Sequence, residues 1–538
     1  MPRRPEPAGR SAFLAARAGA CLAALFYSLF ARAQDNLRIG SIDIRTVDIF
    51  SSEEAANGWL YRAANWLHVT TRESLVRRLL LFDEGDRFDP DRLAETERNL
   101  RASGFFQRAS VIASEPHDGV VDVRVETQDA WTLLVGIAVG RDGGEMHQGF
   151  TLGEKNLLGT GRRLSVSYGD DIHRSYRVVE FSDPQFLLPY GRAHVVYASN
   201  SDGEERLLEL ERPFYSIRAP WTAAARFDDG RRQESLYRGG EEVSRYERSF
   251  RRITGRWGFA ARASPDRALR FGIGLDWQDD RFSEAPGWKG TERPAPRTYR
   301  DVFLEAQFVR HDYLTWNYVD EDIRYQDFNV GRSITLDVGA SPAAFGAPVN
   351  SILARLDWQE GFRLGGNSFV LARLAGSARR ENDAWRNTIV SGELRFVRRF
   401  VGARPQTLLA RVAAARGWNL DADRLFYADG ATGLRAYPLY AFEGDRRVLA
   451  NLEHRIFCGC EIFQLVAPGL AVFVDAGAAA PPGESLNWSR LKADAGVGLR
   501  FAIARASAFL RVDLGYAFQP DPRGRKGWLL SFSGSQAF

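Results

Sequence analysis

From Trp131 to the last residue, the chain is a succession of segments about ten residues long in which apolar and polar side chains alternate. Successive side chains on a strand point to opposite faces, so each segment is a strand with one oily face and one wet face. Leu470, Val472, Val474 and Ala476 share a face, and Phe473 and Asp475 take the other. Ala495, Val497, Leu499, Phe501 and Ile503 stand opposite Asp494 and Arg500, and Leu510, Val512, Leu514, Tyr516 and Phe518 stand opposite Arg511 and Asp513. In the final segment Trp528, Leu530, Phe532 and Phe538 line up on one side, with Ser531, Ser533 and Ser535 on the other. A soluble sandwich also alternates, but charge on the polar face of strand after strand suits a wet lumen better than a packed core. Aromatic residues near both ends of the last apolar face fit the two interfaces of a bilayer. Together these features predict a transmembrane antiparallel β-barrel.

The amino terminus agrees with that destination. Arg3, Arg4 and Arg10 precede the apolar stretch 22–30, which ends in Ala31-Arg32-Ala33. That order is a secretory signal over residues 1–33, cut before Gln34. Cys21 lacks the leucine usual upstream of a lipoprotein cysteine. Beyond residue 34 there is no apolar run of ~18 residues that would make a membrane-spanning helix. Allowing about 25 residues per strand and connection, residues 130–538 hold about sixteen strands. The formal net charge of +4 gives no footprint for nucleic acid.

Residues 34–129 follow a different grammar, mixed α/β. The stretch 41–50 is strand-like. Thr70 with Glu73 reads as a capping box opening one helix, and Asp89-Pro90 caps and starts a second that Gly104 stops. Two strands follow, the second placing Val121, Val123 and Val125 on one face. The order is β-α-α-β-β, with an insert at 51–69 that contains Trp59, Tyr61 and Trp66.

The stretch "LLLFDEGDRFDPDRLAETERNLRASGFFQRASV", followed by "GVVDVRVETQDAWTL", resembles a POTRA domain. The barrel resembles the outer-membrane superfamily that includes BamA, TamA and the two-partner secretion transporters. "GEKNLLGTGRRLSVSYG", "VVEFSDPQFLLP", "DGATGLRAYPLYAFEGDRRVLANLEHRIF", "LAVFVDAGAA" and "LRVDLGYAF" carry that resemblance, in the family's order. It implies a single-POTRA member in the outer membrane of a Gram-negative bacterium, with the POTRA domain in the periplasm. It further implies that residues 420–446 form a long loop folded into the lumen, with Gly433, Arg435 and Tyr437 at its tip. The arginine then meets acidic residues on the wall, Asp475 first and Glu453 second; both lie on polar strand faces by periodicity. A reciprocal charge exchange between Arg435 and Asp475 is expected to rescue partly. Two positions depart from the family pattern. Ala436 replaces a glycine, and Gln536 stands where an apolar residue is usual.

The function implied is insertion, assembly or translocation of polypeptides, with a client captured at a POTRA strand edge and passed to the seam between the first strand and Trp528–Phe538. The partners implied are outer-membrane lipid, extended client chains and periplasmic accessory proteins. A passive pore, or a structural or lipid-handling barrel, is the alternative. Cys458 and Cys460, one residue apart, read as thiols or a local bridge rather than a metal site. The seven histidines show no metal spacing, no phosphate loop or nucleophile elbow appears, and neither a cofactor nor an enzymatic activity is expected.

Overall fold

The computed structural model describes residues 37–56, 58–287, 292–320, 325–462, 466–503 and 508–534. The expected signal segment, Gln536 and Phe538 lie outside the described residues.

The N-terminal unit is a three-stranded sheet of β1 (Arg38–Val47), β2 (Phe106–Ala113) and β3 (Val120–Asp129) in the order β1-β3-β2. β1 runs parallel to the central β3, and β2 runs antiparallel to it. Helices Glu73–Leu79 and Pro90–Ala102 supply Leu75, Val76, Leu93 and Leu100 to a core that Ile39, Phe106, Val123 and Val125 complete. The second helix starts where the sequence says. Asp89 Oδ1 accepts from the amides of Asp91 at 3.0 Å and Arg92 at 3.4 Å, and Pro90 opens the first turn. Gly104, at φ +83°, ends it in the left-handed region.

The capping box at the other helix does not form. Arg72 is its N-cap and gives no side-chain cap. Residues 70–72 are drawn instead to the barrel rim, where the Arg72 amide donates to the Gly159 carbonyl at 3.0 Å. The insert at 51–69 is itself helical, over Ser52–Ala56 and Trp59–Leu67.

The barrel is closed and has twenty strands among the described residues, not about sixteen. The error lies in the averaging. The first six barrel strands occupy residues 133–212, 80 residues in all or about 13 each. They are joined by turns as short as Gly143-Gly144, whose positive φ values of 56° and 88° make a two-residue hairpin. Longer strands such as Trp221–Arg238 and Glu241–Ala263 come only after them. No helix among the described residues is long and apolar enough to cross a membrane.

The wall is apolar outside and charged inside. On the strand Val466–Ala480, Leu470, Val472 and Val474 are 41%, 46% and 49% exposed, whereas Ala471, Phe473 and Asp475 between them are buried. Closure is thin. The last strand, Gly527–Ser533, meets the first, Leu133–Asp142, through one registered pair among the described residues, Phe532 with Arg141.

The α/β unit sits against the end of the barrel from which the first strand starts. Glu95 accepts from the Ile217 amide at 2.7 Å and the Ser216 hydroxyl at 2.8 Å, and Arg218 pairs with Asp89. At the same end, a hairpin formed by Tyr313–Trp316 and Gln326–Asn329 turns into the lumen. Trp316, Val319, Phe328 and Val330 pack there on wall residues Phe369, Val397 and Leu409. Arg101, in the last turn of the helix Pro90–Ala102, grips this hairpin through Asp327, with both contacts at 3.0 Å.

Candidate functional site

The loop after Trp418 enters the lumen from the opposite end, and its tip is built by Asp429. The Asp429 carbonyl accepts from the amides of Gly433 at 3.1 Å and Leu434 at 2.8 Å. Its carboxylate accepts from the amides of Thr432 at 3.0 Å and Tyr440 at 2.8 Å, so one residue ties both flanks together. Gly433 has φ +136°, and a Cβ there would lie 3.0 Å from the Asn451 amide group. Glycine is therefore required twice over, by conformation and by space. Ala436 is not among the residues with positive φ, so its replacement of glycine carries no backbone strain.

Arg435 is buried, and its planar fork is matched on all sides. Its Nε and Nη2 reach the two oxygens of Asp475 at 2.7 and 3.0 Å, a bidentate contact. Its Nη1 lies 2.5 Å from Glu453 Oε2 and 3.6 Å from Asp513 Oδ2. The ring of Phe473 lies under the guanidinium, 3.5 Å from its central carbon. This explains an apolar side chain on the charged face of that strand.

The wall carboxylates are shared. Glu453 also receives Arg455 Nε at 2.7 Å and Arg500 Nη2 at 3.2 Å, and Arg500 Nη1 reaches Asp513 at 2.5 Å. Asn451, cross-strand from Asp475, donates both to Asp475 Oδ1 at 2.8 Å and to the Gly433 carbonyl at 2.6 Å. Arg511 adds a further contact to Asp513 at 3.5 Å, and buried Asp494 lies cross-strand from Asp475; the buried cations and anions of the cluster thus offset the desolvation that a lone buried charge could not survive.

The structure brings Gly433, Arg435, Glu453 and Asp475 into one cluster. Tyr437 stands beside it, buried with Leu434, Leu449 and Ala517, and its hydroxyl donates to the Gln519 carbonyl at 3.1 Å. Trp528 and Phe532 lie on the last strand, away from the charges, with Trp528 exposed on the outer face. The loop nonetheless reaches the seam. A Cβ on Gly143, in the first hairpin, would meet the Leu439 backbone at 2.3 Å, and one on Gly430 would meet Gly143 Cα at 2.9 Å. Ala436 rests on Gly515 of the penultimate strand, and Leu529 of the last strand packs on the loop's buried cluster.

Residues 68–128 match the POTRA family, described as a surface antigen variable number repeat. The α/β unit is a POTRA domain. The outer membrane protein assembly factor BamA of Neorickettsia risticii is 33% identical over 101 residues, 18% of this chain and 13% of that protein. Among solved structures, CdiB from Acinetobacter baumannii aligns over 93% of this chain and 74% of its own at 13% identity, with a TM-score of 0.48. BamA from Haemophilus ducreyi lacking POTRA domains 1–3 aligns over 91% and 84% at 13% identity, with a TM-score of 0.40. This chain thus carries a POTRA-type unit ahead of a closed β-barrel, and it spans about an eighth of the length of the curated relative it matches.

Sequence reasoning missed Arg455, Arg500, Asp513, Asn451 and Phe473. The alternation that placed Glu453 and Asp475 also places these on inner faces, so the signal was available. It missed the inturned hairpin altogether. Arg455 joins the two, because its Nη1 donates to the Val319 carbonyl of that hairpin at 2.6 Å while its Nε holds Glu453. Cys458 and Cys460 are disulfide-bonded to each other.

Proposed function

We propose that this chain handles polypeptides at the outer membrane, inserting, assembling or translocating a client that the POTRA domain receives and the barrel seam passes on. The observation that carries the reading is the lumenal loop, which packs on the first hairpin and on the last two strands, the two sides of the seam. A client strand would add at the seam by pairing its backbone with that of the first strand. The folded loop bridges the seam by packing on the first hairpin and the last two strands together. In this reading Arg435 is the fastener. While it stays in its carboxylate cradle the loop holds the seam shut, and its release lets the seam open. The inturned hairpin and the folded loop both occupy the lumen, which speaks against a passive pore.

The test is depletion in the host with quantitative proteomics of purified outer membranes, alongside complementation by an Arg141→Cys/Phe532→Cys chain whose seam is bridged. A broad fall in other barrels supports general assembly, and loss of one or two surface or secreted proteins supports a dedicated exporter. Full complementation by the bridged chain, or no change in any protein on depletion, would sink the proposal.

A further inference from the structure

The insert at 51–69 has no part in the lumenal cluster, yet it carries the largest exposed aromatic surface of the POTRA domain. On the helix Trp59–Leu67, residues 59, 62 and 66 fall on one face, and Trp59, Arg62 and Trp66 are all exposed, Trp66 to 82%. Leu67 and Val69 extend the exposed apolar surface past the helix end. The opposite face is committed to the protein. Ala64 and Tyr61 pack with Ile49, Phe50 and Trp131, Asn65 donates to the Phe50 carbonyl at 2.8 Å, and His68 Nδ1 lies 2.9 Å from Asp48. The exposed stripe is therefore held outward by a fixed underside.

Its position says what covers it. Trp131, against which the helix packs, stands two residues before the first barrel strand begins at Leu133. Five residues past the helix end, Arg72 is fastened to the first periplasmic turn, with Nε donating to the Leu158 carbonyl at 3.0 Å. Leu158 itself is exposed, and Val135 and Leu152, a cross-strand pair just above, are 62% and 51% exposed on the lipid-facing wall. The stripe thus adjoins the membrane belt at the strands that form one side of the seam. Tryptophan favours the interface between headgroups and acyl chains, and an arginine between two tryptophans suits anionic headgroups.

We infer that the helix Trp59–Leu67 is an interfacial anchor that lies on the periplasmic leaflet of the outer membrane beside the seam. Trp59 and Trp66 sit at headgroup depth, and Arg62 contacts lipid phosphates. The inference depends on the outer-membrane location and not on client handling, so it stands or falls separately from the proposed function.

The experiment uses the full chain with Cys21→Ser, so that Trp66→Cys or Trp59→Cys gives one free thiol beside the bonded Cys458–Cys460 pair. Each carries an environment-sensitive fluorophore and is reconstituted in phosphatidylethanolamine/phosphatidylglycerol vesicles that contain a shallow nitroxide lipid. Asp118→Cys is the aqueous control. It lies in the β2–β3 turn, at the far end of the ten residues of β3, roughly 30 Å from the rim. Quenching at positions 59 and 66 is expected to exceed that at 118 by about threefold or more, as for a side chain at the interface. Equal quenching at all three positions, in protein that keeps its heat-modifiable migration, overturns the inference.

Discussion

Removing the Arg435 side chain should release the lumenal loop without unfolding the barrel. Arg435→Ala deletes the bidentate contact to Asp475 and one of the three cations around Glu453. Glu453 keeps Arg455 and Arg500, but Asp475 keeps only Asn451 among these partners. Breaking a buried pair by removing one partner costs about 3–5 kcal/mol. At about 1.4 kcal/mol per tenfold, that raises the open fraction of the loop by roughly two to three and a half orders of magnitude. Burial of Leu434 and Tyr437 opposes opening at about 1.5–3 kcal/mol each, which is why the loop is expected to sample the open state rather than abandon the closed one. The assay is amide hydrogen exchange by mass spectrometry on the folded chain, read at the peptide 429–440, where the Leu434 amide is bonded to Asp429. Exchange there should accelerate by about a hundredfold or more while strands remote from the loop keep their rates. Acceleration below about tenfold would show that apolar packing alone holds the loop, and Arg435 would lose its role as fastener.

Four further outcomes are expected. Gly433→Ala should cost about 1–2 kcal/mol from the left-handed backbone alone and loosen the same peptide, because its Cβ also crowds Asn451. The reciprocal exchange Arg435→Asp/Asp475→Arg should fail to rescue heat-modifiable migration, since an aspartate at 435 would face Glu453 and Asp513; partial rescue would mean that those two carboxylates matter little. Arg101→Ala should weaken the grip of the POTRA domain on the inturned hairpin by about 1–2 kcal/mol, seen as a broader distance distribution between spin labels on the two domains. The last outcome concerns pH. Burial would raise the Asp89 carboxyl, but the Arg218 guanidinium and two helix amides outweigh it and hold its pKa below the ordinary value. A depressed acid stabilises the folded state above its unfolded pKa and loses that contribution as pH falls through the folded value, so the helix Pro90–Ala102 and its Arg218 contact should weaken below about pH 4. A pH titration of the chain and its Asp89→Asn variant should converge there.

The sequence made the wall legible and left its filling dark. A period of two places Glu453 and Asp475 on one inner surface whatever the strand count, whereas the contact of Arg435 with them was implied by the resemblance of its loop and not by the periodicity. The strand count was not legible, because tight turns such as Gly143-Gly144 pack six strands into the stretch where an average assumes fewer. The inturned hairpin was missed for a different reason. Trp316, Val319, Phe328 and Val330 are apolar where a solvated turn between two strands would be polar. That surplus was the available sign that the segment packs inside something. The capping box at Thr70 failed because a local rule met a tertiary demand, the docking of residues 70–72 on the barrel rim.

The contacts also order themselves along the barrel axis. At the POTRA end Arg101 holds Asp327 on the hairpin; further in, the same hairpin presents the Val319 carbonyl to Arg455; Arg455 holds Glu453; and Glu453 faces Arg435 on the loop that enters from the opposite end. Every link after the first is buried, so none is shielded by water, and each uses an arginine whose several donors allow it to hold two partners at once. A shift of the hairpin that withdraws Val319 would leave Arg455 with an unmet donor beside Glu453, and Glu453 is the group that it shares with the fastener. This loop packs on both sides of the seam. Whatever moves the POTRA domain against its hairpin therefore has a continuous polar route to the contacts that hold the lumenal loop, and that route requires no motion of the wall itself.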